Sequence, residues 1–238
     1  MTDSQPSEPS TALRDGSGPW ADLGLTLPVF VGYHLGVVSL PVRNAADPVT
    51  RELVALAQND LTSYAALTLA IGAVYVGILV VLGRGHALRL GRFVMIALES
   101  VVYAVAMRLV AGYVVGELFL GRVPGSAFGG LVLSLGAGFY EEVAFRVVLY
   151  GLGARLLVLM FPLPFPLAPA LIKLGWAVVA AAVFSGWHYV GALGDPFDAK
   201  SFVFRWVCGL VFTVIYVFRG FAPVVWTHAI YDIWVLVL

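Results

Sequence analysis

Three clusters of ionisable residues stand inside otherwise apolar sequence: Glu141, Glu142 and Arg146 in EEVAFR, His188 at the end of FSGWH, and His228 with Asp232 in HAIYD. A carboxylate in such surroundings is either protonated or matched to a cation, a proton donor or a metal. Glu142 and Arg146 are four apart, the spacing of an ion pair along one helical face. Adjacent residues on an α-helix point about 100° apart, so that pairing leaves Glu141 aimed elsewhere. His228 and Asp232 repeat the four-residue spacing, which lets them bind a metal together or lets the aspartate orient the imidazole. His188 alone is no more than a core histidine and gains meaning from the other two clusters. Together the groups suit activation of a water molecule. A bound zinc ion would lower the water's pKa towards ~7, or a carboxylate would take the proton directly. No G-x-S-x-G or H-E-x-x-H sequence is present, so neither the serine elbow nor the common zinc-protease helix applies.

The elements that must position these residues are membrane-spanning helices. Of 238 residues, 61% are hydrophobic and 12% charged, with mean hydropathy +0.94. Soluble domains carry about twice that share of charge. Charged groups at membrane depth cost about 2.5–3.5 kcal/mol each on insertion scales, and they usually line a cavity or serve a function. Formal net charge is zero, with 14 basic and 14 acidic residues, and nothing in it points to nucleic acid. The single cysteine, Cys208, excludes a disulfide framework and a cysteine-based zinc site, and it reads as a small core residue.

About 20 apolar residues span a bilayer. Seven stretches are candidates: Leu23–Pro41, Thr62–Leu82, Phe93–Leu118, Ala127–Tyr150, Leu174–Val190, Phe202–Phe218 and Phe221–Leu238. The expected fold is all-α, a polytopic transmembrane helical bundle of about 6–8 spans. Residues 1–22 read as a disordered polar tail without signal-peptide character, and residues 23–238 as one membrane-embedded domain. Arg219-Gly220 is so short a link that the last two stretches should form an antiparallel hairpin. Residues 42–60 form a polar link with a short amphipathic stretch bearing Arg51 and Glu52, and residues 83–92 a basic one bearing Arg84, Arg89 and Arg92. Placing the basic link in the cytoplasm puts the N-terminus there too.

The ordered set E-E-x-x-x-R, F-x-x-x-H and H-x-x-x-D resembles the CAAX-protease and bacteriocin-processing (CPBP, Abi-type) family of intramembrane endopeptidases. The matching residues are Glu141, Glu142 and Arg146, then Phe184 and His188, then His228 and Asp232, within a motif-bearing core over 126–238. The resemblance implies a helical membrane fold with an active-site cavity open to water or lipid. Glu141 would be the general base, and His188 and His228 would hold the water or its metal. Zinc and a metal-free glutamate mechanism are both open for that family. If a metal is bound, Glu141, His188, His228 and Asp232 are its candidate ligands. Glu142 and Arg146 would be a supporting pair, and Phe184 would shape the cavity one turn before His188. Asp232 stands where many members carry asparagine. The implied partners are the lipid bilayer and a membrane-anchored protein or peptide, prenylated at a CAAX tail or otherwise lipid-tethered.

Two other readings use the same residues. In a transporter or channel, buried acids and histidines would relay protons or bind cations; that needs polar groups along a path across several helices. A catalytically silent member of the same family would serve as a membrane scaffold. Glu99 and Arg108 fall on opposite helix faces and would contact other helices. His34 and His86 have no sequence partners, and Asp195 and Asp198 read as a solvated loop.

Overall fold

Pro28 lacks an N–H and interrupts the first apolar stretch, which divides at Thr26 into α1 (Pro19–Leu25) and α2 (Leu27–Ser39). In the computed structural model, which describes residues 19–40, 44–47, 60–82, 90–116, 126–162, 164–191 and 194–238, side chains take up carbonyls at this break. Leu23 O accepts from Thr26 Oγ1 at 2.8 Å and from Tyr75 OH at 3.0 Å, and Leu25 O from Trp226 Nε1 at 2.9 Å. Lipid offers no water to satisfy a backbone carbonyl, so such side-chain partners are required.

Among the described residues every regular element is helical. The remaining helices are α3 (Leu61–Leu82), α4 (Leu90–Val115), α5 (Ala127–Met160), α6 (Ala168–Trp187), α7 (Ala199–Arg219) and α8 (Phe221–Leu236). Six helical stretches are long and apolar enough to cross a membrane: Asp22–Ser39, Leu61–Val81, Leu90–Val115, Ala127–Met160, Ala168–Trp187 and Ala199–Arg219. The seventh apolar stretch forms the shorter helix α8. Two boundaries differ from the sequence reading by about six residues or more. Helix α5 runs past Tyr150 through Gly151 and Gly153, and α6 starts at Ala168 because Pro169 falls in the first turn, where its missing N–H costs nothing. Helix α1 begins inside the range read as tail. Residues 1–18, the stretch with Arg51 and Glu52, and the connection with Arg84, His86 and Arg89 lie outside the described residues.

Helix α8 is the centre of the bundle and packs against α4, α5 and α7. Ala222, Pro223, Val224, Val225, Thr227, His228 and Ala229 are all buried, so its first half meets protein on every side. Gly220 joins α7 to α8 with φ 96°, a left-handed conformation that favours glycine. A Cβ there would also stand 2.2 Å from Asp22 Oδ2, the carboxylate oxygen that accepts Phe221 N–H at 3.1 Å. The chain reverses at this point, because Phe212 and His228, eight residues either side of Gly220, stack with ring centroids 4.5 Å apart. Cys208 is buried beside Phe212 in the same cluster. Helix α3 is the opposite case, with only 6% of its span buried, and it lies at the periphery.

Close approach of α5 to α8 depends on Gly138, where an added Cβ would meet Ala229 Cβ at 2.7 Å and Val225 O at 2.9 Å. Gly138→Ala should therefore destabilise the protein by about 1–3 kcal/mol, the usual cost of overpacking. Gly175→Ala, at a position with no atom within 4 Å, should be neutral or slightly stabilising. Thermal melts in detergent check the pair; equal midpoints would mean that the two helices do not meet at Gly138.

Candidate active site

Helix α5 opens as an α-helix, with Ser126 Oγ accepting Gly129 N–H at 3.0 Å. It then widens into π-helical turns over Ala137–Glu141 and Val143–Leu152. Such turns are rare and frequent at functional sites. A wider turn lessens the angle between neighbouring side chains, and the two adjacent glutamates bracket one imidazole. Glu142 Oε1 is 2.6 Å from His228 Nδ1, while Glu141 Oε2 is 4.0 Å from His228 Nε2.

The ion pair read from spacing is present, with Arg146 Nε 3.1 Å from Glu142 Oε2 and side-chain exposures of 1% and 0%. The Arg146 guanidinium also lies over the rings of Phe184 and Phe212, at 4.2 and 4.9 Å from their centroids. Phe184 packs edge-on against His188 at 5.1 Å and against His228 at 6.0 Å. The two aromatic rings thus wall off the charged pair and hold both imidazoles.

Proton positions follow from the partners. His188, just past the end of α6, has Nδ1 3.0 Å from Phe184 O. A carbonyl only accepts, so Nδ1 carries the proton and neutral His188 has its lone pair on Nε2. His228 Nδ1 donates to the Glu142 carboxylate by the same logic. The orienting carboxylate of His228 is therefore Glu142 and not Asp232, whose Oδ2 lies 3.5 Å from the other nitrogen, Nε2. Four-residue spacing put Asp232 beside the ring without saying which nitrogen it would reach.

His188 Nε2 stands 3.9 Å from Glu141 Oε2, so both imidazoles turn Nε2 towards one carboxylate oxygen. That oxygen is buried and has no hydrogen-bond partner. The side chains of His188 and Asp232 keep 25% and 21% of their exposure against 5% for His228, so the cluster opens on the His188–Asp232 side.

The donor types, two imidazoles and two carboxylates, suit zinc. Their spacing is wider: two ligands about 2.0–2.1 Å from a tetrahedral zinc would stand ~3.3 Å apart. Among the described residues no group of three or more such donors is close enough to hold a metal as placed. The separations of 3.9 and 4.0 Å lie between that zinc spacing and the ~4.4–4.9 Å at which two groups share one tetrahedrally hydrogen-bonded water.

Sequence reasoning missed Asn44, whose Nδ2 donates to Glu141 Oε1 at 2.8 Å. An asparagine in a polar link 97 residues away carries no signal of that contact. It also left His34 without a partner; His34 Nε2 is 2.7 Å from Tyr140 OH, the residue before Glu141. Glu99 and Arg108 do reach other helices, Glu99 to Arg219 through two hydrogen bonds and Arg108 over the Trp234 ring. Asp198 caps α7 by accepting Ser201 N–H, and Asp195 pairs with Arg205.

Residues 123–234 match the family model of the type II CAAX prenyl endopeptidase Rce1-like proteins. The match covers just under half of the chain, includes all three motifs, and agrees with the CPBP resemblance. At family level it supports a CAAX-type intramembrane endopeptidase. No curated protein and no solved structure matches the chain.

Within the Rce1-like segment, Arg146→Ala would leave the Glu142 carboxylate buried without its cation and should cost about 3–5 kcal/mol. The double substitution Glu142→Gln with Arg146→Met removes both charges and should recover much of that loss. Folded yield and thermal midpoint in detergent measure both variants. Normal stability of Arg146→Ala would rule out the ion pair as a structural support.

Proposed function

We propose that this protein is an intramembrane endopeptidase that hydrolyses a peptide bond of a membrane-anchored substrate, prenylated at a CAAX tail or otherwise lipid-tethered. One observation carries the reading: Nε2 of His188 and Nε2 of His228 both face Glu141 Oε2, a buried carboxylate oxygen without a hydrogen-bond partner. A water held among these atoms would donate to Glu141 and to an imidazole lone pair. Glu141 Oε2 would take one proton as the water oxygen attacks the scissile carbonyl carbon. The same proton would pass to the leaving nitrogen as the C–N bond breaks, with no covalent intermediate.

The remaining residues serve this step. Glu142 accepts from His228 Nδ1 and so holds the ring with Nε2 turned towards Glu141 and Asp232. Asp232 offers a further acceptor on the open side of the cluster, and Arg146 and Phe184 hold Glu142 and the rings in place. If zinc is bound, His188, His228, Glu141 and Asp232 would hold it, and it would lower the pKa of the attacking water. Support for proteolysis, as distinct from another hydrolysis, comes from the match of residues 123–234. The apolar spans fit a substrate that arrives within the bilayer plane.

Wild type, Glu141→Gln and His228→Ala, purified in detergent and given a farnesylated CAAX peptide, test the reading. Loss of a general base costs about 10²–10⁴-fold in rate, so Glu141→Gln should fall by that factor while remaining folded. Metal analysis of the same preparations distinguishes a carboxylate-only site from one that also holds zinc. Wild-type turnover by the Glu141→Gln protein would remove Glu141 from the role of base.

A further inference from the structure

The two oxygens of Glu141 have different surroundings. Oε2 faces the histidines, whereas Oε1 accepts from Asn44 Nδ2 at 2.8 Å. Asn44 is buried on the segment after α2, and each of its polar groups has a defined partner. Its Oδ1 accepts Ala46 N–H at 2.8 Å, its main-chain N–H donates to Tyr33 OH at 3.0 Å, and Tyr33 OH donates to Asp47 Oδ2 at 2.8 Å. The Ala46 contact fixes the amide orientation: a flipped Asn44 would set its oxygen against the carboxylate and its NH₂ against an N–H.

We infer that Asn44 is a positioning residue for Glu141, pinning Oε1 so that Oε2 is the atom presented to water. This deepens the proposed peptidase reading and rests on it. A carboxylate held at one oxygen by a charge-assisted hydrogen bond keeps a single orientation. A base fixed within reach of its proton gains the rate advantage of orientation, where a displacement of about 1 Å costs on the order of 10²-fold. An asparagine is suited to this place because its amide donates to the carboxylate and cannot take the proton in its stead. Helix α5 makes room for the clamp at Gly136, one wide turn before Glu141. A Cβ there would stand 2.5 Å from the Tyr33 ring and 3.0 Å from Asn44 Cβ.

Asn44→Asp tests the role because it keeps the side chain's size and the acceptor for Ala46 but replaces the donor facing Glu141 with a second acceptor. With the farnesylated CAAX peptide in detergent, kcat should fall by about 10–100-fold while KM stays within about twofold. Tyr33→Phe removes the hydroxyl that anchors Asn44 and should give the same kcat-selective loss on a smaller scale, so the inference remains testable if Asn44→Asp does not fold. Wild-type kcat in both folded variants, or a raised KM with kcat unchanged, would overturn the positioning role while leaving Glu141 as base. Activity retained by Glu141→Gln would instead overturn the base assignment itself, which is a different result in a different variant.

Discussion

The Glu142 carboxylate sits at zero exposure between a guanidinium and an imidazole, and the rest of the site depends on that arrangement. One oxygen faces Arg146 on the same helix, and the other accepts from His228 on α8. A buried charge is tolerated only when its partners are close and well oriented. Here the need to satisfy one carboxylate ties α5 to α8 and fixes which nitrogen of His228 carries the proton. The other nitrogen, Nε2, then faces Glu141 and Asp232. A buried ion pair thus orients the imidazole that faces the neighbouring acid.

Helix packing brings these groups within reach. Between helices in lipid the hydrophobic effect contributes little, so small residues and close backbone contact decide where helices meet. Gly138 lies one turn before Glu142 and touches Ala229, the neighbour of His228. A close approach of the two helices therefore falls beside the ionic contact. Side-chain hydroxyls near it bond back along their own helices, Thr227 to Pro223 O at 2.7 Å and Thr213 to Gly209 O at 2.8 Å. Such local bonds let polar residues line a buried interface without seeking partners across it.

Around Glu141 the division of labour is by oxygen and by helix. Helices α6 and α8 bring the imidazoles to Oε2, and the segment following α2 brings Asn44 to Oε1. The π turns of α5 let adjacent glutamates serve different partners around the same ring. Residues from the first half of the chain therefore complete a site whose motifs all lie in the second half.

Apolar composition and the length of the apolar runs determined the class of molecule and most of its helices, because a bilayer-spanning helix satisfies its backbone internally and shows itself in one continuous stretch. The Glu142–Arg146 pair was equally legible, since an i,i+4 contact is set by helical geometry alone. The antiparallel hairpin at Arg219-Gly220 followed from the shortness of its link. Periodicity does not say which helix faces which. The partner of His228 Nδ1, the contact of Asn44 with Glu141, the pairing of His34 with Tyr140 and that of Glu99 with Arg219 join residues 86 to 120 positions apart. Only the packing of the helices against one another decided those contacts, because they depend on the rotation and closeness of whole helices, which small residues such as Gly138 and Gly136 set locally.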